Sequence, residues 1–194
     1  MSKSLANATR KHGDIIAAAT TLFLQQGYGA SGMDRIAELS GVTKQTVYRY
    51  FPSKEELFMA VMAHVRKNRF EPYEFGDRSL ADELNGFGVQ MLAFHLQPEA
   101  LGLYRLMLSE GAQENLNQAF TSTGPQQVIQ PLITFLQQRC GTLEDIPFHA
   151  RMFATMVLAP RNQQLTGADN KMHDAAQRSH VEKVVRLFIQ GINP

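Results

Sequence analysis

Residues 34–58 read DRIAELSGVTKQTVYRYFPSKEELF, and this stretch decides the fold. Ile36, Ala37 and Leu39 recur at helical spacing until Gly41, and Thr43 then opens a second short segment, KQTVYRYF, which stops before Pro52. Gly41 supplies the backbone freedom of a tight turn, and Thr43 can accept an amide hydrogen bond as a helix N-cap. Two short helices joined by a glycine-containing turn make a helix-turn-helix. Val42, Val47, Phe51, Leu57 and Phe58 extend the apolar side, and Ala37 is small enough to let two helices approach. The opposite side of 43–51 presents Lys44, Gln45, Thr46, Tyr48 and Arg49, which carry hydrogen-bond donors and aromatic edges in place of apolar groups.

In such an element the first residues of the second helix reach base edges in the major groove. Lys44 and Gln45 are therefore the candidate readers, because lysine donates to guanine and glutamine pairs with adenine through two hydrogen bonds. Around them Ser31, Thr43, Tyr48, Tyr50 and Lys54, with Arg10 and Lys11 in the first helix, are candidate phosphate partners. Helix N-terminal amides add to contacts of that kind. Taken singly, each of these residues also suits a solvated helix face or a half-buried aromatic. That alternative leaves unexplained why turn glycine, small contact residue, cap and basic-aromatic face arrive in register.

Upstream, Thr9 or Asn7 can cap a helix whose positions Ile15, Ile16, Ala19, Leu22 and Phe23 form one apolar stripe ending at Gly27. Ser31 is the expected cap of the next helix. Downstream, Ser53 starts a longer helix with Glu55 and Glu56 in its first turn and Arg66, Lys67 and Arg69 near its end, as the helix dipole favours. EPYEFGDRS (71–79) breaks the pattern. Helices are expected near 79–96, 98–110, 113–123, 125–140, 147–164 and 169–190, with Pro98, Pro125 and Pro147 in first turns and Pro131 placed to kink or split its segment. The reading is all-α: a helix-turn-helix head over 1–52, a linking helix and boundary segment over 53–78, and a helical domain over 79–194.

The formal net charge of +1 hides an asymmetry. Residues 1–70 hold ten Lys or Arg against five Asp or Glu, whereas 71–194 hold nine against thirteen, so the basic end is the one that would meet phosphates. A single cysteine, Cys140, cannot form an internal disulfide and reads as a small buried hydrophobe. The first residues lack a signal-peptide core and no apolar run is long enough to span a membrane, so a cytoplasmic protein is expected.

Residues 10–58 resemble the N-terminal domain of the TetR (tetracycline repressor-like) family, on GYGAS (27–31) and IAELSGVTKQTVYRYFPSKEEL (36–57). The resemblance implies a three-helix DNA-binding head, a linking fourth helix, and a helical body that dimerises and binds a small ligand. It also implies a regulator, most often a repressor released by its ligand. Gly32 departs from a hydroxyl residue common in the family, and Gln45 and Arg49 stand at variable positions, where they would set operator preference. LYRLMLSEGAQENLNQAFTSTGP (103–125) resembles a C-terminal subtype of the same regulators.

The body is rich in Leu, Met and Phe, a composition that serves a plain core or a core with a cavity. Met91, Phe94, Tyr104, Met107, Phe120, Met152 and Met156, together with Phe135 and Phe153, are candidate pocket residues, and His95 and Arg105 candidate polar anchors. The apolar faces of the last two helices, with Phe148, Met152, Val184, Val185 and Phe188, can bury internally or against a second copy. The resemblance favours the copy, and a two-fold dimer predicts a palindromic operator with half-sites roughly 34–36 Å apart. No cofactor is expected. An enzyme lacks support, since there is no His-Glu-x-x-His pattern, phosphate loop or GxSxG elbow, and Asp169 with His173 suits a cap and a solvated histidine better than a metal site. A ligand-binding helical protein without DNA function leaves the basic head unexplained.

Overall fold

The computed structural model describes residues 3–69, 72–109, 129–166 and 171–192, which are helical without any strand. They fall into two compact units. One holds residues 3–69 with 102–109, and the other the remainder.

In the first unit, α1 (Lys3–Gln26) buries Ile15, Ile16, Ala19, Leu22 and Phe23 along one stripe. It begins earlier than expected. Thr9 is not its cap, because its hydroxyl donates back to the Leu5 carbonyl (3.1 Å) within the helix. Gly27 ends the helix at φ +85°. α2 (Met33–Ser40) follows, then α3 (Lys44–Tyr50) and α4 (Lys54–Arg69). The N-cap of α2 is Gly32, not Ser31. Ser31 is fully buried and its hydroxyl is turned back to donate to the Gly27 carbonyl (2.7 Å), closing the 27–31 turn instead of capping α2. Ser53 caps α4 as expected, accepting from the Glu56 amide (3.1 Å). Ile36, Val47, Phe51, Leu57 and Phe58 join the α1 stripe in one core, with Phe23, Tyr28 and Phe58 meeting ring against ring at 5.4–5.5 Å. Leu103 and Met107 of α6 (Pro98–Ser109) belong to the same core. Gly102 permits this approach, since a Cβ there would lie 2.6 Å from Leu24 Cδ2.

In the second unit, α5 (Leu80–His95) is capped by Ser79, whose hydroxyl accepts from the Asp82 amide (3.1 Å). Its core residues Leu84, Phe87, Met91 and Leu92 pack with Leu132, Phe135 and Leu136 of the helical stretch 129–139 (α7). α8 (Ile146–Val157) and α10 (Asp174–Ile192) complete that core with Phe153, Val157, Val181, Val185 and Phe188. Gly88 sits where a Cβ would come within 2.7 Å of Val181, so α5 and α10 touch through glycine.

The segment expected as one helix over 147–164 is two, α8 and α9 (Ala159–Leu165). Pro160 lacks the amide a continuous helix requires, and the chain restarts with that proline in the first turn of α9. Pro147 does lie in the first turn of α8, behind the N-cap Asp145, which takes a left-handed conformation (φ +45°) and accepts from the Phe148 amide (3.2 Å). Pro131 lies in the first described turn of α7, and the expected helix 113–123, like residues 125–128, lies outside the described residues.

Candidate nucleic-acid interface

The turn between α2 and α3 is built from backbone hydrogen bonds. Gly41, at φ +67°, donates to Glu38 O (3.2 Å), and Val42 donates to Ala37 O (3.1 Å), the paired bonds of a Schellman ending. Two residues on, Thr43 Oγ1 accepts from the Thr46 amide (3.2 Å) and lies 2.9 Å from the Thr46 hydroxyl. These bonds determine where α3 starts, and the fully buried Val47 determines which face turns inward. Lys44, Gln45, Tyr48 and Arg49 are then left exposed on the other.

Lys44 does not project freely. Its ammonium lies 2.7 Å from Asp34 Oδ1 and 3.1 Å from Oδ2, and this hydrogen bond and charge raise its pKa above the ordinary lysine value. The Arg49 guanidinium stands 5.4 Å from the Tyr50 ring centroid, a cation–π spacing. Both cations sit at the exposed face where base edges would be met.

The expected phosphate partners are less uniform. Thr43 is exposed, Arg10 is exposed beside Asn7 (3.2 Å), and Lys11 is half-buried. Ser31 is engaged inside its turn. The Tyr50 hydroxyl donates to Ala8 O (3.4 Å), tying α3 to α1, and its ring meets His12 edge-on at 5.9 Å. Lys54 donates to Gly29 O (3.3 Å) and stands 4.3 Å from the Tyr28 ring centroid, so it braces the 27–31 turn. His12 and Asp34 were not singled out from the sequence. The opposite charges of Asp34 and Lys44, ten residues apart across a predicted turn, were the available signal for the second of these.

The candidate pocket residues of the body are divided between the two units. Met91 and Phe94 are buried on α5, Tyr104 and Met107 belong to the core of the first unit, Met152 is exposed, and Met156 is half-buried. Phe120 lies outside the described residues. A groove of about 600 Å³ opens between Tyr73 and Phe75 on one side and Gln130, Thr134, Phe135 and Gln138 on the other, so of those apolar candidates Phe135 lines it. His95 is buried with Nδ1 2.7 Å from Met91 O, and burial pushes its pKa down to about 4. No group of three potential metal ligands occurs among the described residues, and Asp169 lies outside them. Among the described residues no helix is long and apolar enough to cross a membrane.

A helix-turn-helix held rigid on a three-helix scaffold, with a basic-aromatic face turned outward and an all-helical body behind it in sequence, defines a DNA-binding regulator. Residues 15–61 match the family model of bacterial regulatory proteins of the tetR family, and residues 82–191 match that of the AefR-like transcriptional repressor C-terminal domain. The chain belongs to the TetR family of transcriptional regulators. It is 44% identical over 52 residues to the transcriptional activator FasR of Mycolicibacterium smegmatis, a match covering 27% of this chain and 24% of that protein. The chain thus spans about a quarter of the length of the first curated relatives it matches. With the regulator SrpR of Pseudomonas putida it shares 29% identity over 116 residues, covering 58% of this chain and 53% of the relative. The fold matches a Mesorhizobium loti structure assigned to the same family with a TM-score of 0.81 at 24% identity, covering 98% of each chain. It also matches the flavonoid-responsive regulator FrrA with a TM-score of 0.79 at 28% identity, covering 94% of this chain and 97% of that one.

Proposed function

We propose that this protein is a ligand-responsive repressor that binds a palindromic operator as a homodimer and leaves it when a small apolar or amphipathic effector binds the body. The observation that carries this reading is the exposed row Lys44, Gln45, Tyr48 and Arg49 on a helix whose start, end and buried face are all fixed by the rest of the head. Gln45 and Lys44 read bases, and Thr43, Tyr48 and Arg10 hold phosphates. Ser31, Tyr50 and Lys54 act by shaping the head, since their polar atoms bond within it.

Dimerisation through the last helices is supported by Phe148 and Met152 of α8, which are 47% and 42% exposed one helical turn apart, and by Leu187 of α10, 62% exposed. Repression agrees with the description of the matched C-terminal model. The response named for FrrA makes planar polyphenols the first effectors to test.

The test is binding of the purified protein to DNA fragments flanking its own coding region at a series of salt concentrations. Nanomolar affinity that falls steeply with salt, through release of phosphate counterions, is the expected result. Weak, salt-independent association with every fragment contradicts the reading.

A further inference from the structure

One side chain at the joint between α1 and α3 serves neither the core nor the proposed base contacts. His12 is exposed, yet its ring is held in place: its centroid lies 5.0 Å from that of Phe51 and 5.9 Å from that of Tyr50, edge-on to the latter. Both partners are themselves fixed. Phe51 is the buried C-cap of α3, and the Tyr50 hydroxyl donates to Ala8 O (3.4 Å), one turn of α1 before His12. The same Tyr50 ring has the Arg49 guanidinium 5.4 Å from its centroid. His12 therefore shares an aromatic partner with a cation of the exposed face of α3.

The imidazole makes no hydrogen bond or ion pair to any described residue, so its nitrogens stay open to solvent and to a proton. Histidine is the side chain whose charge ordinarily changes nearest neutral pH. The charged and titratable groups around it are Arg49 and Tyr50 on α3 and, on its own helix, Arg10, Lys11 and Asp14. Three of these are cations and one is an anion, so the free head opposes a further positive charge at the joint. Bound DNA reverses that balance. α3 has seven residues and is about 10 Å long at 1.5 Å per residue, so phosphates met by Tyr48 and Arg49 lie within about one Debye length of its C-terminal end. Their negative field favours the imidazolium.

We infer that His12 links DNA affinity to pH, the head taking up a proton at this imidazole when it binds. Since DNA favours the protonated ring, the protonated protein must reciprocally bind DNA more tightly. Affinity therefore rises as pH falls through the range in which the ring charges. A single exposed charge, screened by salt, gives a few-fold effect and steepens the salt dependence by up to about one unit of slope. The link rests on the assignment of α3 as the DNA-facing helix; the placement of His12 beside Tyr50 and Phe51 does not.

The experiment measures binding of a rhodamine-labelled mixed-sequence duplex by the full-length protein at one low salt concentration and at pH 6, 7 and 8, for the wild type, His12→Gln and His12→Arg. His12 is exposed and both replacements are good helix formers, so the variants keep the fold, which matching melting curves verify. The wild type should gain a few-fold more affinity between pH 8 and pH 6 than His12→Gln does. His12→Arg, which is always charged, should bind at pH 8 as tightly as the wild type does at pH 6. The other histidines are common to all three proteins, so the comparison isolates this one. Equal pH dependence in the wild type and His12→Gln overturns the inference. The wild-type imidazole followed by NMR gives a second readout that needs no variant: its titration midpoint should move up when the duplex is added, and an unmoved midpoint also overturns the link. A wild type that bound no duplex at any pH would remove the DNA-facing assignment of α3 as well, whereas binding without a His12-dependent slope removes the proton link alone.

Discussion

The Lys44 ammonium sits 2.7 Å from the Asp34 carboxylate, so the first residue of α3 is tethered to the first turn of α2 before any DNA arrives. Both side chains are well exposed, at 59% and 68%, so solvent screens the pair and it adds little to stability. Its larger effect is on recognition, because a carboxylate stands beside the cation that would approach the bases or phosphates.

Asp34→Ala should therefore tighten binding to all DNA sequences by a few-fold and steepen the salt dependence, with a melting temperature nearly unchanged. Mobility-shift titrations at two salt concentrations check this. Weaker binding by the variant would show that Asp34 orients Lys44 productively.

Gly41 adopts φ +67°, which an L-residue enters at a cost of about 1–2 kcal/mol. There is open space around its Cβ position, so Gly41→Ala tests conformation without a clash. A lower melting temperature is expected, with DNA affinity falling in proportion to the loss of folded head. An unchanged melt would show that the turn tolerates alanine and that the Schellman ending is not what fixes α3.

Glu83 and His95 are buried in the body and titrate in adjoining windows. The Arg78 hydrogen bonds lower the Glu83 pKa from an ordinary 4.5 to about 2. A depressed carboxylate contributes stability that is complete above its unfolded pKa and is lost as pH falls between about 4.5 and 2. Glu83→Gln should flatten the stability profile in that window, measured as urea midpoint against pH, and should loosen the segment 73–78, which Glu83 holds through Tyr73 and Arg78. The same slope in variant and wild type would place the acid sensitivity elsewhere.

For His95 burial lowers the pKa from 6.5 to about 4, so the folded protein holds it neutral while the unfolded chain protonates it. Stability tied to this residue is complete above pH 6.5 and declines toward pH 4. His95→Gln, which keeps a donor for the Met91 carbonyl, should lessen that decline. Urea midpoints at pH 7 and pH 5 suffice, and an equal drop in both proteins contradicts the assignment.

How much of this was legible in the sequence depended on how local the cause was. Gly41, Thr43, Ser53 and Pro52 act on their immediate neighbours, and each does in the structure what its chemistry implied. Ser31 failed that test because its hydroxyl found a carbonyl behind it, at Gly27, in preference to an amide ahead. Pro160 divides α8 from α9 although the apolar period runs on across it. The Glu83–Arg78–Tyr73 cluster joins a strap of no periodicity to a helix, and only folding brings it together. Tyr104 and Met107 show the same limit, since nothing in their spacing announces that they share a core with α1 and α4.

The exposed face of α3 carries the proposed reading of DNA, and the most direct test is the base preference of the wild type beside Gln45→Ala and Lys54→Ala, measured by single-base substitution across one bound operator. Gln45→Ala should lose discrimination at one or two base positions by about 1–3 kcal/mol and keep the rest. Lys54→Ala, which loses its bond to Gly29 and its place over the Tyr28 ring, should weaken every sequence alike. If Gln45→Ala also weakened all sequences equally, with no position relaxed, α3 would not be the reading helix.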